Sequence, residues 1–269
     1  MRLFLTFLPL AFALGLQAQQ TPSNTAAPVT VAPPAREKFR LYLLMGQSNM
    51  AGRDRRALEA QKANPRVLAM TPEGKWVVAK DPIHQKDGRI EPGAGPGVPF
   101  ALAMLKADAT EVIGLVPCAV GGTPLRRWEK DGDLYKRALE KAKLAAQSGV
   151  ISGVLWHQGE SDSNKQSDAE TYQVRLSKMI KDLRQDLGRP DLPVVVGQIG
   201  MFLVPDKYPF ADTVRGALRK VAAEVPNVGY ADSAGLGDKG DKLHFSAEAQ
   251  GQFGARYAEA MQKLAPAKP

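Results

Sequence analysis

The chain has 269 residues, 44% of them hydrophobic and 24% charged, a balance that excludes a disordered or low-complexity protein and allows one large domain with a substantial core. Its formal charge is +8, from 36 basic and 28 acidic residues, but the basic residues are scattered along helical stretches and form no run of the kind that binds nucleic acid. Cys118 is the single cysteine, which excludes an intramolecular disulfide and leaves stability to the core.

Residues 1–18, MRLFLTFLPLAFALGLQA, place Arg2 before an apolar run over 3–16 and end on the small Ala18, the layout of a secretory signal peptide cleaved near Ala18. The run is shorter than the roughly 20 residues of a membrane-spanning helix. The expected product is therefore secreted or periplasmic, with no stable membrane span once the leader is removed. Residues 19–37 are rich in Pro, Ala, Thr and Gln without hydrophobic periodicity and read as a flexible linker. The folded domain is expected over 38–265.

Within it, short runs rich in Val, Leu or Ile at 41–45, 112–116, 153–156, 194–198 and 228–231 read as five buried strands. Helical patterns at 98–107, 134–147, 166–187, 211–223 and 247–264 fall between and after them. In the clearest, 166–187, Tyr172, Leu176, Met179, Ile180, Leu183 and Leu187 share a face, and Gly188 and Pro190 stop it. Alternation of this kind predicts an α/β fold: a single-domain, three-layer α/β/α sandwich on a five-stranded parallel sheet. In such sheets functional residues gather in loops at the carboxyl ends of the strands.

Four blocks meet that condition. Gly46-Gln47-Ser48-Asn49-Met50-Ala51-Gly52 follows the first strand and puts Ser48 in a tight turn; alternatively Ser48 caps a helix. Val120-Gly121-Gly122-Thr123 follows the second, its glycines open to a close approach of ligand to backbone, or forming a plain loop. Trp156-His157-Gln158-Gly159-Glu160-Ser161-Asp162 follows the third and offers the Gln158 amide; Trp156 and His157 suit a core, and Glu160 and Asp162 suit helix caps. Asp241-Lys242-Leu243-His244 precedes the last helix. A hydroxyl nucleophile needs a base, and the base needs a partner that fixes its tautomer. An Asp three residues before a His can reach Nδ1 and leave Nε2 facing a serine. Of the three histidines, His84, His157 and His244, His244 alone has that carboxylate at a strand–helix junction. Their spacing disfavours a metal site, and no cofactor is expected.

With these blocks in this order, the chain resembles the SGNH (GDSL-like) hydrolase superfamily, in particular its sialate O-acetylesterase-like branch of carbohydrate acetylesterases. The stretches that carry the resemblance are GQSNMAG, GPGVPFA, GGTPLRRW, WHQGESD and DKLHFSAEAQ, spanning the whole folded region. The resemblance implies a flavodoxin-like fold and a serine esterase that removes acetyl groups from a carbohydrate, such as an acetylated polysaccharide or sialic acid. It assigns Ser48 as nucleophile, His244 as base and Asp241 as its orienting partner. It also implies an oxyanion hole from the N–H groups of Ser48 and Gly122, with Gly121 the neighbouring alternative, and the Gln158 amide. Gln47 stands where the wider superfamily has an aspartate, and Gln158 where it has an asparagine; both departures disfavour a lipase. Arg53, Arg126, Arg127 and Trp128 lie near the expected site, where they could contact an acidic sugar or stack on a ring, or lie at the surface and in the core. A lipase or thioesterase acting on longer chains, and a glycan-binding module without turnover, are the alternative readings.

Overall fold

A strand with apolar side chains on both faces is stable only where both faces are covered, and the five apolar runs all lie inside one sheet with helices on either side. In this computed structural model, residues 29–264 are described, apart from 57, 59, 60, 87–90 and 109. The expected leader, 1–18, lies outside them. The strands are β1 (Phe39–Gly46), β2 (Val67–Met70), β3 (Trp76–Val78), β4 (Val112–Pro117), β5 (Val150–His157), β6 (Val194–Gly197) and β7 (Val228–Ala231). The helices are α1 (Ser48–Ala51), α2 (Gly97–Met104), α3 (Asp133–Ala145), α4 (Gln166–Asp186), α5 (Ala211–Glu224) and α6 (Ala247–Gln262).

The sheet order is β3-β2-β4-β1-β5-β6-β7. Every neighbouring pair is parallel except β2–β3, which is antiparallel. The expected sheet of five strands is thus corrected to seven. The five read from sequence, β4-β1-β5-β6-β7, have the flavodoxin-like order in which the first strand lies inside the sheet. The β2–β3 hairpin extends the edge beyond β4. Its strands have four and three residues, too short to show a period.

The linker expected over 19–37 is also corrected in its described part. Thr30 bridges Val77 of β3 in antiparallel fashion, and Val31 N–H donates to Trp76 O at 2.8 Å. Val31 packs against the core, so the folded body begins about eight residues before 38.

Alternation along β1 feeds two cores. Leu41, Leu43 and Met45 meet α3, α4 and α5 through Tyr135, Tyr172 and Leu218, while Tyr42 and Leu44 meet α2 and α6 through Phe100, Phe253 and Tyr257. Each large side chain taken fully out of water contributes about 1.5–3 kcal/mol. At α6, the Ser246 side chain accepts the Ala249 N–H at 3.1 Å, and this cap fixes where the preceding loop, which carries His244, must end.

Candidate active site

The carboxyl end of β1 sets the position of Ser48. Gly46 has φ +125°, and a Cβ there would sit 2.0 Å from the His157 carbonyl oxygen, so the contact between β1 and β5 at this point requires glycine. Gln47 N–H then donates to His157 O at 2.8 Å, and the N–H groups of Met50 and Ala51 close onto Gln47 O. Gln47 is the N-cap of α1, and Ser48 is its first residue rather than its cap. A helix has no internal acceptor for its first N–H groups, which here begin with Ser48.

His244 comes from the far end of the chain. Its Nε2 lies 3.0 Å from Ser48 Oγ, and its Nδ1 lies 2.8 Å from Asp241 Oδ2. A carboxylate only accepts, so Nδ1 carries the proton toward Asp241 and Nε2 is the acceptor for the serine hydroxyl. Asp241 Oδ1 also accepts the N–H groups of Leu243 at 3.0 Å and His244 at 2.8 Å, and Lys239 Nζ lies 3.0 Å from Oδ2. Partial burial acts to raise the Asp241 pKa, but the His244 and Leu243 N–H groups, the imidazole and Lys239 together hold it well below the usual carboxylate range. The turn needs Lys242 at φ +57°, a left-handed conformation that its loop enforces.

Ser48 and His244 open onto a cavity of about 260 Å³, also lined by Arg53, Gly121, Gly122 and Tyr208. Gly122 has φ +66°, and a Cβ built on it meets nothing within 4 Å; its bare backbone faces open space.

Four expected contributors are placed elsewhere. Gln158 is fully buried: its Nε2 donates to Asp162 Oδ2 at 2.6 Å and lies 3.1 Å from both Gln47 Oε1 and Thr123 O, while its Oε1 accepts from Tyr172 Oη at 2.8 Å. With its amide committed, Gln158 braces the loops behind the pocket and does not line it. Trp128 is fully buried, packs edge-on against Trp156 and donates Nε1–H to Thr123 Oγ1 at 3.0 Å; it pins the glycine loop from below and offers no stacking face. Arg126 is exposed and outside the cavity wall, and Arg127 pairs with Asp133. Arg53 lines the cavity, with Nη1 donating to Gly52 O at 2.8 Å. Asp162 accepts Leu125 N–H at 2.9 Å and ties the glycine loop to the β5 loop, instead of capping α4.

Asn49 was not singled out by sequence. Its Nδ2 donates to Glu160 Oε1 at 2.5 Å and Leu243 O at 3.1 Å, and its Oδ1 accepts Phe245 N–H at 3.1 Å. One side chain therefore holds the backbone on both sides of His244. Burial acts to raise the Glu160 pKa, but His157, whose Nε2 is 3.4 Å away, and Asn49 outweigh it and hold the carboxyl below its ordinary range. His157 in turn lies 3.1 Å from Tyr257 Oη and edge-on to Phe245 and Phe253, a core position. The signal for Asn49 was its place beside Ser48; the partners 194 and 196 residues away have no local signature. Among the described residues, no three His, Cys, Asp or Glu side chains are grouped to hold a metal, and no helix is long and apolar enough to cross a membrane.

Residues 38–263 match the family model described as carbohydrate esterase, sialic acid-specific acetylesterase (SASA). The Arabidopsis thaliana protein named "Probable carbohydrate esterase At4g34215" is 35% identical over 241 residues, covering 82% of this chain and 89% of that protein. An X-ray structure of the Arabidopsis protein superposes with a TM-score of 0.75 at 33% identity, over 84% of this chain and 99% of the other. The fold is shared with a carbohydrate acetylesterase from Xanthomonas citri, TM-score 0.63 at 21% identity, over 84% of this chain and 56% of that one. The chain belongs to the SASA family of carbohydrate esterases and is a carboxylic ester hydrolase.

Proposed function

We propose that this chain removes acetyl groups from a carbohydrate by transferring them through Ser48. The observation that carries the reading is the relay of Ser48 Oγ, His244 and Asp241 over 3.0 and 2.8 Å. Ser48 Oγ attacks the acetyl carbon while His244 Nε2 takes its proton, and Asp241 stabilises the imidazolium. The N–H groups of Ser48 and Gly122 receive the negative charge on the carbonyl oxygen. His244 then protonates the departing sugar oxygen, and water, deprotonated by the same imidazole, releases acetate. The cavity, about 260 Å³, is below the ~300–1,000 Å³ of sites for drug-sized ligands, which favours a short acyl group over a long one. The same reading places the enzyme outside the cytoplasm after removal of residues 1–18, and N-terminal sequencing of the exported protein reads this directly.

The test is acetate release from acetylated glycans, with long-chain esters alongside. The Ser48→Ala variant should lose turnover by roughly four orders of magnitude or more. Retained turnover in the variant, or preference of the wild type for long chains, overturns the reading.

A further inference from the structure

Beside the catalytic pocket lies a second cavity, of about 540 Å³. The chain joins the two: residues 117–120 at the end of β4 wall the second cavity, and Gly121 and Gly122 immediately after them wall the first. Lys80 and Lys86 from the loop after β3, and Arg137 and Lys141 from α3, converge on the second cavity, and no acidic side chain lines it among the described residues. Like charges brought together on a concave wall repel one another and focus a positive potential into the cavity. Lys86 Nζ is 2.6 Å from Glu91 Oε1, and Lys141 Nζ donates to Pro117 O at 2.6 Å. Lys80 and Arg137 make no ion pair among the described residues.

His84 lines the same cavity and is 6% exposed. Neither of its ring nitrogens has a well-formed hydrogen bond, although the Leu44 backbone lies beside the ring. Burial, with Lys141 and Arg53 nearby, pushes its pKa down to about 3, so the ring is neutral and adds no charge to the wall, and both of its nitrogens are buried behind the surface. The cations around this neutral ring match an anion. Arg53, which lines the catalytic pocket, is near enough to His84 to help hold its pKa down.

We propose that this cavity is a subsite for an anionic sugar unit, carrying a carboxylate or a sulfate ester, attached to the acetylated sugar held at Ser48. In it, Lys80 and Arg137 meet the anion. The link to Ser48 rests on the proposed esterase activity, so one arm of the test is independent of turnover. In the first arm, wild type and a Lys80→Gln/Arg137→Gln double variant are assayed on neutral acetylated xylo-oligosaccharides and on the same oligosaccharides bearing glucuronate or sulfate. The double variant should lose roughly tenfold in the ratio of anionic to neutral kcat/KM, through KM, and the preference of the wild type should weaken with added salt. The anion that produces the ratio is the one the subsite takes. An unchanged ratio for both anions overturns the proposal.

In the second arm, glucuronate-bearing and sulfated oligosaccharides are titrated by calorimetry into wild type, Ser48→Ala and the double variant. Binding by the first two with roughly tenfold weaker binding by the third supports the subsite even where no substrate releases acetate, an outcome that would sink the esterase reading alone. Equal binding by all three overturns the subsite.

Discussion

The turn that carries Ser48 is closed in by β1, β5 and α1, whereas the loop that carries His244 is half open to solvent and runs through a left-handed Lys242. Ser48 is positioned by backbone: a glycine pressed on the His157 carbonyl and a cap that closes the first helical turn. His244 is positioned by side chains, with Asp241 beneath it and Asn49 gripping both neighbours. The nucleophile therefore depends on what the sheet excludes, and the base on a few polar braces that can be removed singly.

Gly46→Ala attacks the backbone-held half. A Cβ 2.0 Å from a carbonyl oxygen at φ +125° forces β1 away from β5, and the expected loss is ~3 kcal/mol or more, with soluble yield and the denaturation midpoint as the readout. Asn49→Ala attacks the other half. Stability should fall by about 1–3 kcal/mol, since Glu160 keeps its burial and loses a donor, and kcat should fall roughly 10- to 100-fold with less change in KM as His244 drifts from Ser48. Loss of stability without loss of kcat would mean that the loop holds His244 unaided.

Acid titration separates the halves by charge. His84, beside β1, has its pKa lowered to about 3; below its unfolded value near 6.5 the unfolded chain binds the extra proton, so its contribution is full above that pH and is lost as pH falls toward 3. Asp241 is also lowered, so its contribution is present above the unfolded carboxylate value of about 3.9 and is lost only in stronger acid. Asp81, pushed up to about 6 by burial, works in the opposite sense: the folded state holds its proton longer, and stability falls as pH rises from about 4 to 6. Across pH 4–6 the His84 rise and the Asp81 fall nearly offset in the wild type; in His84→Gln the Asp81 fall is left alone, and chemical denaturation should show stability decreasing from pH 4 to 6. The smallest effect is expected from Lys239→Ala, whose partly exposed bridge to Asp241 should alter acetate release by no more than about two- to fivefold.

Where residues are local, the sequence announced them. Ser48 after an apolar strand, and Asp241 three residues before His244, are readable because a strand end and a short turn leave the partner little freedom. The long helix α4 was readable for the same reason, its buried stripe repeating over 21 residues. Gln158 read as a pocket residue, and Trp128 stayed open between pocket and core, because a polar or aromatic residue near a site looks the same in sequence whether it faces the pocket or props the wall behind it. Only the third-dimensional partners, Asp162 and Tyr172 for one and Thr123 and Trp156 for the other, decide. The hairpin β2–β3 escaped because strands of three or four residues are set by the neighbours they pair with.

That hairpin makes β3 the end of the sheet, and residues 30 and 31 lie along it. An uncovered terminal strand is a template on which other chains polymerise. A recombinant form trimmed to the composition boundary at residue 38 would strip away this cover while leaving every residue of the relay in place. Its self-association would then be easily mistaken for a native quaternary structure, so expression designs for this enzyme should start upstream of Val29.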